Sequence, residues 1–384
     1  MPRKHLLAVC RHPPTPSIGT GVVLWRHLQR LEESGWTITV ARIGAPVVEG
    51  LNPTWKALSL IRRFWWPPCR VRNPSLVKLR LQLLANQCSA QLGPHSPDAI
   101  LTVLWELEAR LAASLSRKLG VPLSVLMHDQ EELWATSVHQ ERFIRESAVE
   151  VLKQASQIWP VSDEMSLAYP IEDRTKVAQL YPLCGKANIS SAIWEDRFSK
   201  SPVLVHSGSL QEYQRDNLPI IADALAKVNG KLIVIAPVRQ HGRLSSVIDR
   251  FKNLELVPEL PRPSDVLEFI SNNATGVLVS YSLHSEGQPW AKTSFPSRLV
   301  EYSQLGMPVI LCAQKGTAAY EWARREEWSG HISSPDDPII PKIINGLCER
   351  TSWIRMAEQS RKAAIGPFDP DRIHEQFERQ LAVI

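Results

Sequence analysis

Short apolar runs alternate with segments of helical periodicity along almost the whole chain. The apolar runs are rich in β-branched residues, which is typical of strands buried on both faces of a parallel sheet. The runs predicted as strands are His5–Cys10, Trp36–Ile43, Ala99–Leu104, Pro122–Met127, Gln157–Ser162, Val177–Tyr181, Val203–Ser207, Lys231–Ala236, Leu254–Val257, Gly276–Ser280 and Pro308–Cys312. The segments predicted as helices include Gly21–Ser34, Pro74–Leu92, Glu106–Leu119, Glu141–Ala155, Asp216–Val228, Pro263–Ser271 and Pro296–Leu305.

The alternation is interrupted between Leu183 and Pro202, where Gly, Asn and Ser replace the periodic pattern. Alternating strands and helices predict parallel sheets with helices on both faces, and two such series predict two domains. We therefore predict an α/β fold of two Rossmann-like, doubly wound domains that face a cleft. The predicted parts are a domain at 1–185, a linker at 186–201, a domain at 202–366 and a C-terminal helix within 367–384 that packs back on the first domain.

Composition excludes several classes of protein. The chain has 384 residues, 44% of them hydrophobic and 22% charged, which argues against a mainly disordered chain. The net charge of +5 is too small to indicate a nucleic-acid binder by itself, and no apolar run approaches the ~20 residues that span a bilayer. The six cysteines are scattered and form no C-x-x-C pair, so neither a zinc site nor a disulfide framework is indicated. A reducing cytoplasm is consistent with this pattern.

The charge is unevenly distributed. Between Gly50 and Pro97 there is no acidic residue, and the stretch holds seven basic ones, namely Lys56, Arg62, Arg63, Arg70, Arg72, Lys78 and Arg80. Trp65 and Trp66 lie among them, and aromatic rings beside cations are typical of the headgroup region of an anionic membrane. A solvated basic helix with both tryptophans packed inside is the alternative. Nucleic acid is a weaker one, because no nucleic-acid motif is present.

The segment from Tyr281 to Leu311 is the richest in candidate chemistry. It follows a predicted buried strand, and ligands of open α/β sheets gather where such strands end. Thr293 or Ser294 is predicted to cap the next helix, whose N–H groups could hold phosphate. Ser297 and Glu301 are four residues apart and share a helix face. Near the N-terminus, Gly19-Thr20-Gly21 lacks the third glycine of a dinucleotide fingerprint, which disfavours an NAD site.

These segments resemble, in order, the conserved blocks of the family-4-like glycosyltransferases, which have the GT-B fold. The block from Phe295 to Tyr302, followed by Gly306-Met307-Pro308, is similar to the family's P-S-K…E-Y…G-x-P-V block. The other similar blocks are the Gly19–Gly21 loop, the strand at 155–165, the turn at 206–210 and the loop at 281–287. The resemblance implies that the second domain binds a nucleotide-diphosphate sugar, and that the first binds the acceptor.

The resemblance also implies roles for individual residues. Glu301 would hold the ribose, Ser297 and its neighbouring backbone would hold the diphosphate, and the loop at 259–261 would flank the base. The full set of expected donor-binding residues is Gly19, Gly21, Ser209, Arg215, Arg239, Leu260, His284, Lys292, Thr293, Ser294, Ser297, Arg298 and Glu301.

The chain departs from the family pattern at two charged positions. Thr293 stands where many members have a second glutamate, and Ser209 replaces the arginine of the family's G-R-L turn. The diphosphate then needs another cation, because guanidinium or ammonium groups stabilise the leaving charge. Arg215, Arg239, Lys292 and Arg298 are the candidates, with Arg215 and Lys292 preferred. Each could equally be a solvated surface cation.

His128 and Asp129 are the predicted catalytic pair. They follow a predicted strand, and family members often place a histidine or an acid at this point near the reacting sugar. His128 would bind the sugar or acceptor, and Asp129 would orient the acceptor or take its proton. The alternative is a core histidine and a turn cap. Asp369-Pro370-Asp371 has the D-x-D pattern of a metal site, but its context favours a turn with a helix cap, so no metal or other cofactor is expected.

The sequence therefore predicts a glycosyltransferase that moves a sugar from a UDP- or GDP-sugar to an acceptor hydroxyl, with the retention that the resemblance implies. The basic stretch suggests a lipid-linked saccharide acceptor of surface-polysaccharide assembly, and a cytoplasmic location with peripheral membrane contact through 56–80. A non-catalytic nucleotide-sugar-binding or scaffold protein and a sugar-nucleotide epimerase or hydrolase remain alternatives. The sugar, the base, the linkage and the oligomeric state stay open.

Overall fold

The computed structural model describes residues 3–16, 19–43, 50–60, 74–94, 96–185, 192–208, 212–284 and 288–383. These residues form two compact units. Unit 1 comprises Met1–Leu183 together with Asp371–Ile384, and unit 2 comprises Cys184–Pro370.

Unit 1 is built on a parallel six-stranded sheet in the order β3-β2-β1-β4-β5-β6. Its strands are β1 His5–Val9, β2 Thr37–Ile43, β3 Lys56–Leu60, β4 Ala99–Val103, β5 Leu123–Met127 and β6 Gln157–Pro160. Its helices are α1 Gly19–Glu33, α2 Pro74–Leu92, α3 Glu106–Leu119, α4 Val138–Gln154, α5 Asp163–Leu167 and the C-terminal α14 Pro370–Val383. The strand order reverses between β1 and β4, which makes the carboxyl edge of these two strands the switch point of the sheet.

Unit 2 has a second parallel six-stranded sheet, in the order β12-β11-β10-β7-β8-β9, with its switch point between β7 and β10. Its strands are β7 Val203–Ser207, β8 Lys231–Ala236, β9 Leu254–Pro258, β10 Gly276–Ser280, β11 Val309–Cys312 and β12 His331–Ile332. Its helices are α6 Glu212–Ala226, α7 Val238–His241, α8 Ser245–Arg250, α9 Pro263–Asn273, α10 Ser297–Ser303, α11 Ala318–Arg325, α12 Ile339–Gly346 and α13 Arg350–Ile365.

The two sheets confirm the predicted α/β, doubly wound fold class. Central strands such as β4, β5 and β10 are buried at every residue, which is why they read as continuous apolar runs. Local signals also set the helix ends. The Ser137 hydroxyl accepts the backbone N–H of Gln140 at the start of α4, and Gly120, at φ 67°, ends α3 in the left-handed conformation.

The predicted strand Val177–Tyr181 is wrong. Val177 forms an isolated β-bridge to Ile158, and no other residue of the segment forms a bridge. The segment does run beside β6, because Ala178 N–H donates to Ile158 O and Leu180 N–H donates to Pro160 O. Its backbone forms no continuous ladder, and of its apolar side chains only Leu180 is fully buried, while Val177, Ala178 and Tyr181 are half-buried.

Helix α14 belongs to the core of unit 1. Phe377 is fully buried and lies 4.8 Å from the Trp159 ring, measured between ring centroids. Trp36 Nε1 donates to Glu378, and Arg30 forms an ion pair with Asp371 at 2.7 Å. The second aspartate of the D-x-D pattern therefore serves the packing of α14.

The basic stretch is described only in part, because residues 61–73 lie outside the described residues. Lys56 Nζ donates to the carbonyl of Gln91 near the end of α2, a capping role. Lys78 is exposed on α2, beside an exposed row formed by Leu76, Leu79 and Leu83. None of the helices in the described ranges is long and apolar enough to cross a membrane.

Candidate functional site

The first candidate site lies at the switch point of unit 2, where β7 ends. Gly208 follows β7 with φ 128°, and its N–H donates to Ile235 O. The guanidinium of Arg298, from the first turn of α10, lies directly on this glycine. A Cβ at position 208 would be 1.5 Å from Arg298 Nη2 and 2.0 Å from Cζ. Only glycine therefore allows this cation to sit over the end of β7.

Arg298 is partly buried and has no acidic partner in the part of the chain that the structure describes. A guanidinium has five donors and stays charged at any physiological pH. A half-buried guanidinium without a carboxylate, at the carboxyl edge of a parallel sheet, is suited to an anionic ligand.

The residues beneath Arg298 are polar and uncharged. His206 is 1% exposed, and its Nδ1 lies 3.1 Å from Leu278 O, so this nitrogen carries the proton and donates. Burial, and then the charge of Arg298, lower the pKa of His206 to about 4. The Tyr302 hydroxyl hydrogen-bonds the Ser207 side chain, and burial raises its pKa. At neutral pH Arg298 is therefore the charged group over this end of β7.

The loop after β10 is held by Asn217 of α6, which is fully buried. Its Nδ2 donates to Ser280 Oγ at 2.7 Å and to Tyr281 O, and its Oδ1 accepts the N–H of Leu283 at 3.4 Å. The loop is thus pre-ordered up to His284, which is exposed. Asn217 was missed in the sequence, where it reads as one polar residue of a helix.

The predicted cap of α10 is wrong. The helix begins at Ser297, directly after Pro296, with no side-chain cap. Thr293 belongs to the end of the preceding 3₁₀ turn, and its hydroxyl donates to Trp290 O. Both predicted capping side chains are buried. Helix α10 is also only seven residues long, so the positive charge at its start comes mainly from Arg298.

The other predicted donor-side residues are distributed as follows. Arg239, Leu260 and His284 follow the carboxyl ends of β8, β9 and β10, which meet at one edge of the sheet. Lys292 and Ser297 are exposed, and Glu301 is partly buried. Ser209 lies outside the described residues, as does the side chain of Arg215. Arg298 therefore has the best-defined position among the candidate cations, ahead of the preferred Arg215 and Lys292.

In unit 1 the predicted glycines and catalytic pair also lie at the switch-point edge. A Cβ at Gly21 would be 2.4 Å from Pro13 O, so this glycine is required for the close packing of α1 against the loop after β1. Gly19 is the first residue of α1. His128 and Asp129 directly follow β5 and are partly buried. Burial lowers the pKa of His128 and the Asp129 charge opposes this shift.

The same edge of unit 1 carries further residues, four of which the sequence analysis missed, namely Arg11, Trp105, Glu131 and Trp134. Arg11 and His12 follow β1, Trp105 follows β4, and Glu131 and Trp134 belong to the 3₁₀ turn after β5. The Trp105 ring stacks with the Trp134 ring and makes a T-shaped contact with the His12 ring, and Arg11 forms an ion pair with Glu131. No motif marks these residues, because they come from three distant segments that only the sheet brings together.

Comparison with solved structures shows what this arrangement is similar to. The two units together have the GT-B fold, which is that of glycosyltransferases of known structure. Sucrose-phosphate synthase from Thermosynechococcus elongatus is 14% identical over 100% of both chains, with a TM-score of 0.72. HepE of Anabaena, solved in complex with UDP, is 16% identical over 99% of this chain and 100% of that one, with a TM-score of 0.68.

A third similar structure is the α,α-trehalose-6-phosphate synthase from Burkholderia multivorans. It is 15% identical over 100% of this chain and 99% of that chain, with a TM-score of 0.66. No protein-family model matches the sequence, and no curated protein matches it. The relationship is thus visible in the fold across the full length of both chains, at sequence identities where residue roles do not transfer by alignment.

Proposed function

We propose that the protein is a glycosyltransferase that moves a sugar from a nucleotide-diphosphate sugar to an acceptor hydroxyl. The observation that carries the proposal is the Arg298 guanidinium on Gly208, a cation with no acidic partner among the described residues, at the switch point of unit 2. The GT-B fold supports it, since similar structures include sugar-phosphate synthases and a protein solved with UDP. The resemblance of the 295–308 segment to the family-4-like block adds to this support.

In this proposal Arg298 holds the diphosphate. The bond between the sugar C1 and the diphosphate oxygen breaks, and the leaving group gains negative charge that a guanidinium stabilises. Arg298 thus supplies the charge that the family takes from the arginine of its G-R-L turn, where this chain has Ser209. Glu301, one turn along α10, would accept hydrogen bonds from the ribose, and Lys292 would add charge from the preceding turn.

The acceptor oxygen forms the new bond to C1, and its proton passes to the leaving phosphate. This route needs no protein nucleophile and gives retention. It also needs no metal, because Arg298 provides the positive charge. In the described parts of the chain, no group of three or more His, Cys, Asp or Glu side chains could hold a metal ion. We therefore expect the donor to bind in the presence of a chelator.

The test is calorimetric titration with UDP, GDP, dTDP and CDP, with EDTA present. We expect one diphosphate to bind, and Arg298→Ala to weaken it by about 10- to 100-fold, which corresponds to the 1.5–3 kcal/mol of a hydrogen bond to a charged group. Arg355→Ala removes the same charge from an exposed position of α13 and should leave the affinity unchanged.

Two outcomes would contradict the proposal. If no nucleoside diphosphate binds, the chain is a non-catalytic member of the fold. If the wild type consumes the nucleotide sugar with no acceptor present and forms a new sugar nucleotide or free sugar, it is an epimerase or hydrolase.

For the acceptor, we propose a lipid-linked saccharide reached from a membrane surface. The exposed leucines 76, 79 and 83 of α2 lie at helical spacing on one face, and the exposed Lys78 lies on a neighbouring face of the same helix. Such a face is suited to the headgroup region of an anionic bilayer. The fraction of protein that sediments with phosphatidylglycerol vesicles should fall when Leu79 and Leu83 are both changed to Ser. Leu167→Ser, at another exposed leucine, is the control. Equal sedimentation of the wild type and the double variant would exclude this surface.

A further inference from the structure

Helix α14 packs against α1 through two buried histidines, which we call the histidine pair. His27 lies in the middle of α1 and is fully buried, and His374 lies in the first half of α14 and is also buried. Their Nδ1 atoms are 3.4 Å apart, within hydrogen-bond distance, and their ring centroids are 5.7 Å apart. The proposed donor chemistry uses neither of these side chains.

The rest of the contact between α14 and unit 1 is mainly apolar. Ile373, Phe377 and Leu381 of α14 are buried, and the Phe377 ring lies 4.3 Å from the His27 ring and 4.8 Å from the Trp159 ring, measured between centroids. An isolated helix of 14 residues is marginal in water, so the order of α14 depends on this contact. Two imidazoles at its centre need hydrogen-bond partners that apolar side chains would not need.

The neighbours of the histidine pair indicate where its protons lie. Nε2 of His374 is 3.9 Å from the carboxylate of Glu378, which as an anion only accepts hydrogen bonds, so we assign the proton of His374 to Nε2. Its Nδ1 is then bare and accepts the proton of His27 Nδ1. Nε2 of His27 is left bare, and it has no hydrogen-bond partner in the described part of the chain. Both rings are neutral in this arrangement.

The histidine pair has no position for a further proton. A proton added to Nε2 of His27 finds no acceptor, and one added to Nδ1 of His374 meets the proton of His27. If the His27 proton moves to Nε2 to make room, that N–H is unpaired instead. Every protonated form therefore leaves a buried donor without a good partner, which destabilises the contact.

The charged groups that face His27 also oppose its protonation. They are Arg30, one turn further along α1, His374 across the contact, and His128, which follows β5. Burial, and then the charges of His374, His128 and Arg30, lower the pKa of His27 well below its usual value. No carboxylate is among the groups that act on this ring.

His374 faces groups of both signs. Burial, and then the charge of Arg30, lower its pKa to about 4, while Glu378 and Asp371 act in the opposite direction. Both carboxylates already serve the contact with α14, because Glu378 accepts Trp36 Nε1 at 3.1 Å and Asp371 forms an ion pair with Arg30 at 2.7 Å. Their attraction for a protonated His374 therefore does not outweigh burial.

We infer that the histidine pair is an acid-sensitive switch, which holds α14 on unit 1 while both rings are neutral and releases it when the rings take up protons. In the undocked state both rings reach water and titrate near pH 6.5, so a fall in pH favours that state by up to about tenfold per pH unit for each ring. The inference does not rest on the proposed function, because every group in the switch belongs to unit 1.

The test is hydrogen–deuterium exchange of the full chain between pH 7 and pH 4.5, followed by mass spectrometry and corrected for the intrinsic exchange rate at each pH. With two rings that titrate near pH 6.5 when undocked, the opening equilibrium constant of α14 should rise about 50-fold between pH 6 and pH 5. The constant for β5, at the centre of unit 1, should rise much less. If α14 and β5 open together with one pH dependence, unit 1 unfolds as a whole and the inference is refuted.

Two variants test whether the histidine pair causes this rise. His374→Gln removes one of the two titrating rings and keeps a polar side chain, so the rise between pH 6 and pH 5 should fall to about 7- to 8-fold. His27→Leu combined with His374→Leu removes both rings, so the opening constant of α14 should change less than twofold. A wild-type rise in either protein would overturn the inference, and His374→Gln decides the matter if the double variant does not fold.

Two controls test other groups that titrate. His331→Gln changes a partly buried histidine of unit 2 whose pKa is also lowered by burial, and it should leave the rise for α14 at about 50-fold. Asp371→Asn removes the ion pair with Arg30, so it should raise the opening constant by similar factors at pH 6 and pH 5. Loss of the rise in either control would assign the pH dependence to that group and contradict the role of the histidine pair.

Discussion

Adding one methyl group at Gly208 should displace the cation on which the donor site depends. In Gly208→Ala the new Cβ would lie 1.5 Å from Arg298 Nη2, whereas ordinary contact begins near 3.4 Å. The guanidinium must therefore retreat by about 2 Å, which is enough to break a hydrogen bond to a bound phosphate. Because a hydrogen bond to a charged group contributes about 1.5–3 kcal/mol to binding, the affinity for the nucleoside diphosphate should fall about 10- to 100-fold.

The backbone at Gly208 requires its own control. Its φ of 128° is strained for alanine, so some loss of stability comes from the backbone alone. Gly35, with φ 93° and no atom within 4 Å of the position that a Cβ would occupy, provides that control. Gly35→Ala should lose about 1–2 kcal/mol of stability in a denaturant titration and bind the nucleotide as the wild type does.

A double-mutant cycle separates the clash from every other effect. In the Arg298→Ala background the new methyl group meets no guanidinium, so Gly208→Ala should weaken nucleotide binding no further. The assay is calorimetry on four proteins: wild type, the two single variants and the double variant. Additive losses, or a Gly208→Ala protein that binds like Gly35→Ala, would refute the role of Arg298.

Three further changes test other parts of the structure. Asn217→Ala should lower the free energy of unfolding by about 1–3 kcal/mol, because it leaves buried polar groups of the loop after β10 unpaired. Asn273→Ala, at an exposed helix end, should lower it much less, and a denaturant titration compares the two variants. Burial, and then the charge of Arg30, lower the pKa of His374 to about 4, so below about pH 6.5 the unfolded chain binds more protons than the folded one. The melting temperature should therefore fall between pH 6.5 and pH 4, and it should fall less in His374→Gln. Glu132→Gln should lower the melting temperature and change the fluorescence of tryptophan, because the carboxylate that holds the Trp134 turn loses its charge.

Most of the fold could be predicted from the sequence because its strands are buried on both faces. Ten of the eleven predicted strands appear, and the central ones, such as β4, β5 and β10, are buried at every residue and largely apolar. The errors lie where the pattern is weak. Strand β3 at the sheet edge alternates exposed and buried positions, and β12 has only two residues, so neither resembles a buried run. The apolar segment at 177–181 runs beside β6, half-buried and without a ladder, and the apolar pattern alone does not distinguish such a segment from a strand.

The candidate sites were harder to predict, for physical reasons that differ between the units. In unit 2 the segment at 295–302 was recognisable because its residues are adjacent in sequence. The position of the Arg298 guanidinium over Gly208 was not recognisable, since it depends on a contact between residues 90 positions apart. In unit 1 the residues gathered around Trp105 and Trp134 come from three strand ends. Trp134 itself reads as an ordinary apolar residue until its 48% exposure is known.

The most direct test of the central claim is a transfer assay with sugar-labelled nucleotide sugars, a lipid-linked or free saccharide acceptor and EDTA. We expect that one nucleotide sugar loses its sugar to the acceptor and that the diphosphate appears in equal amount. Arg298→Ala should reduce this turnover at least tenfold, and Arg355→Ala should not. Loss of the sugar to water alone, conversion of the nucleotide sugar without acceptor, or full turnover by Arg298→Ala would contradict it.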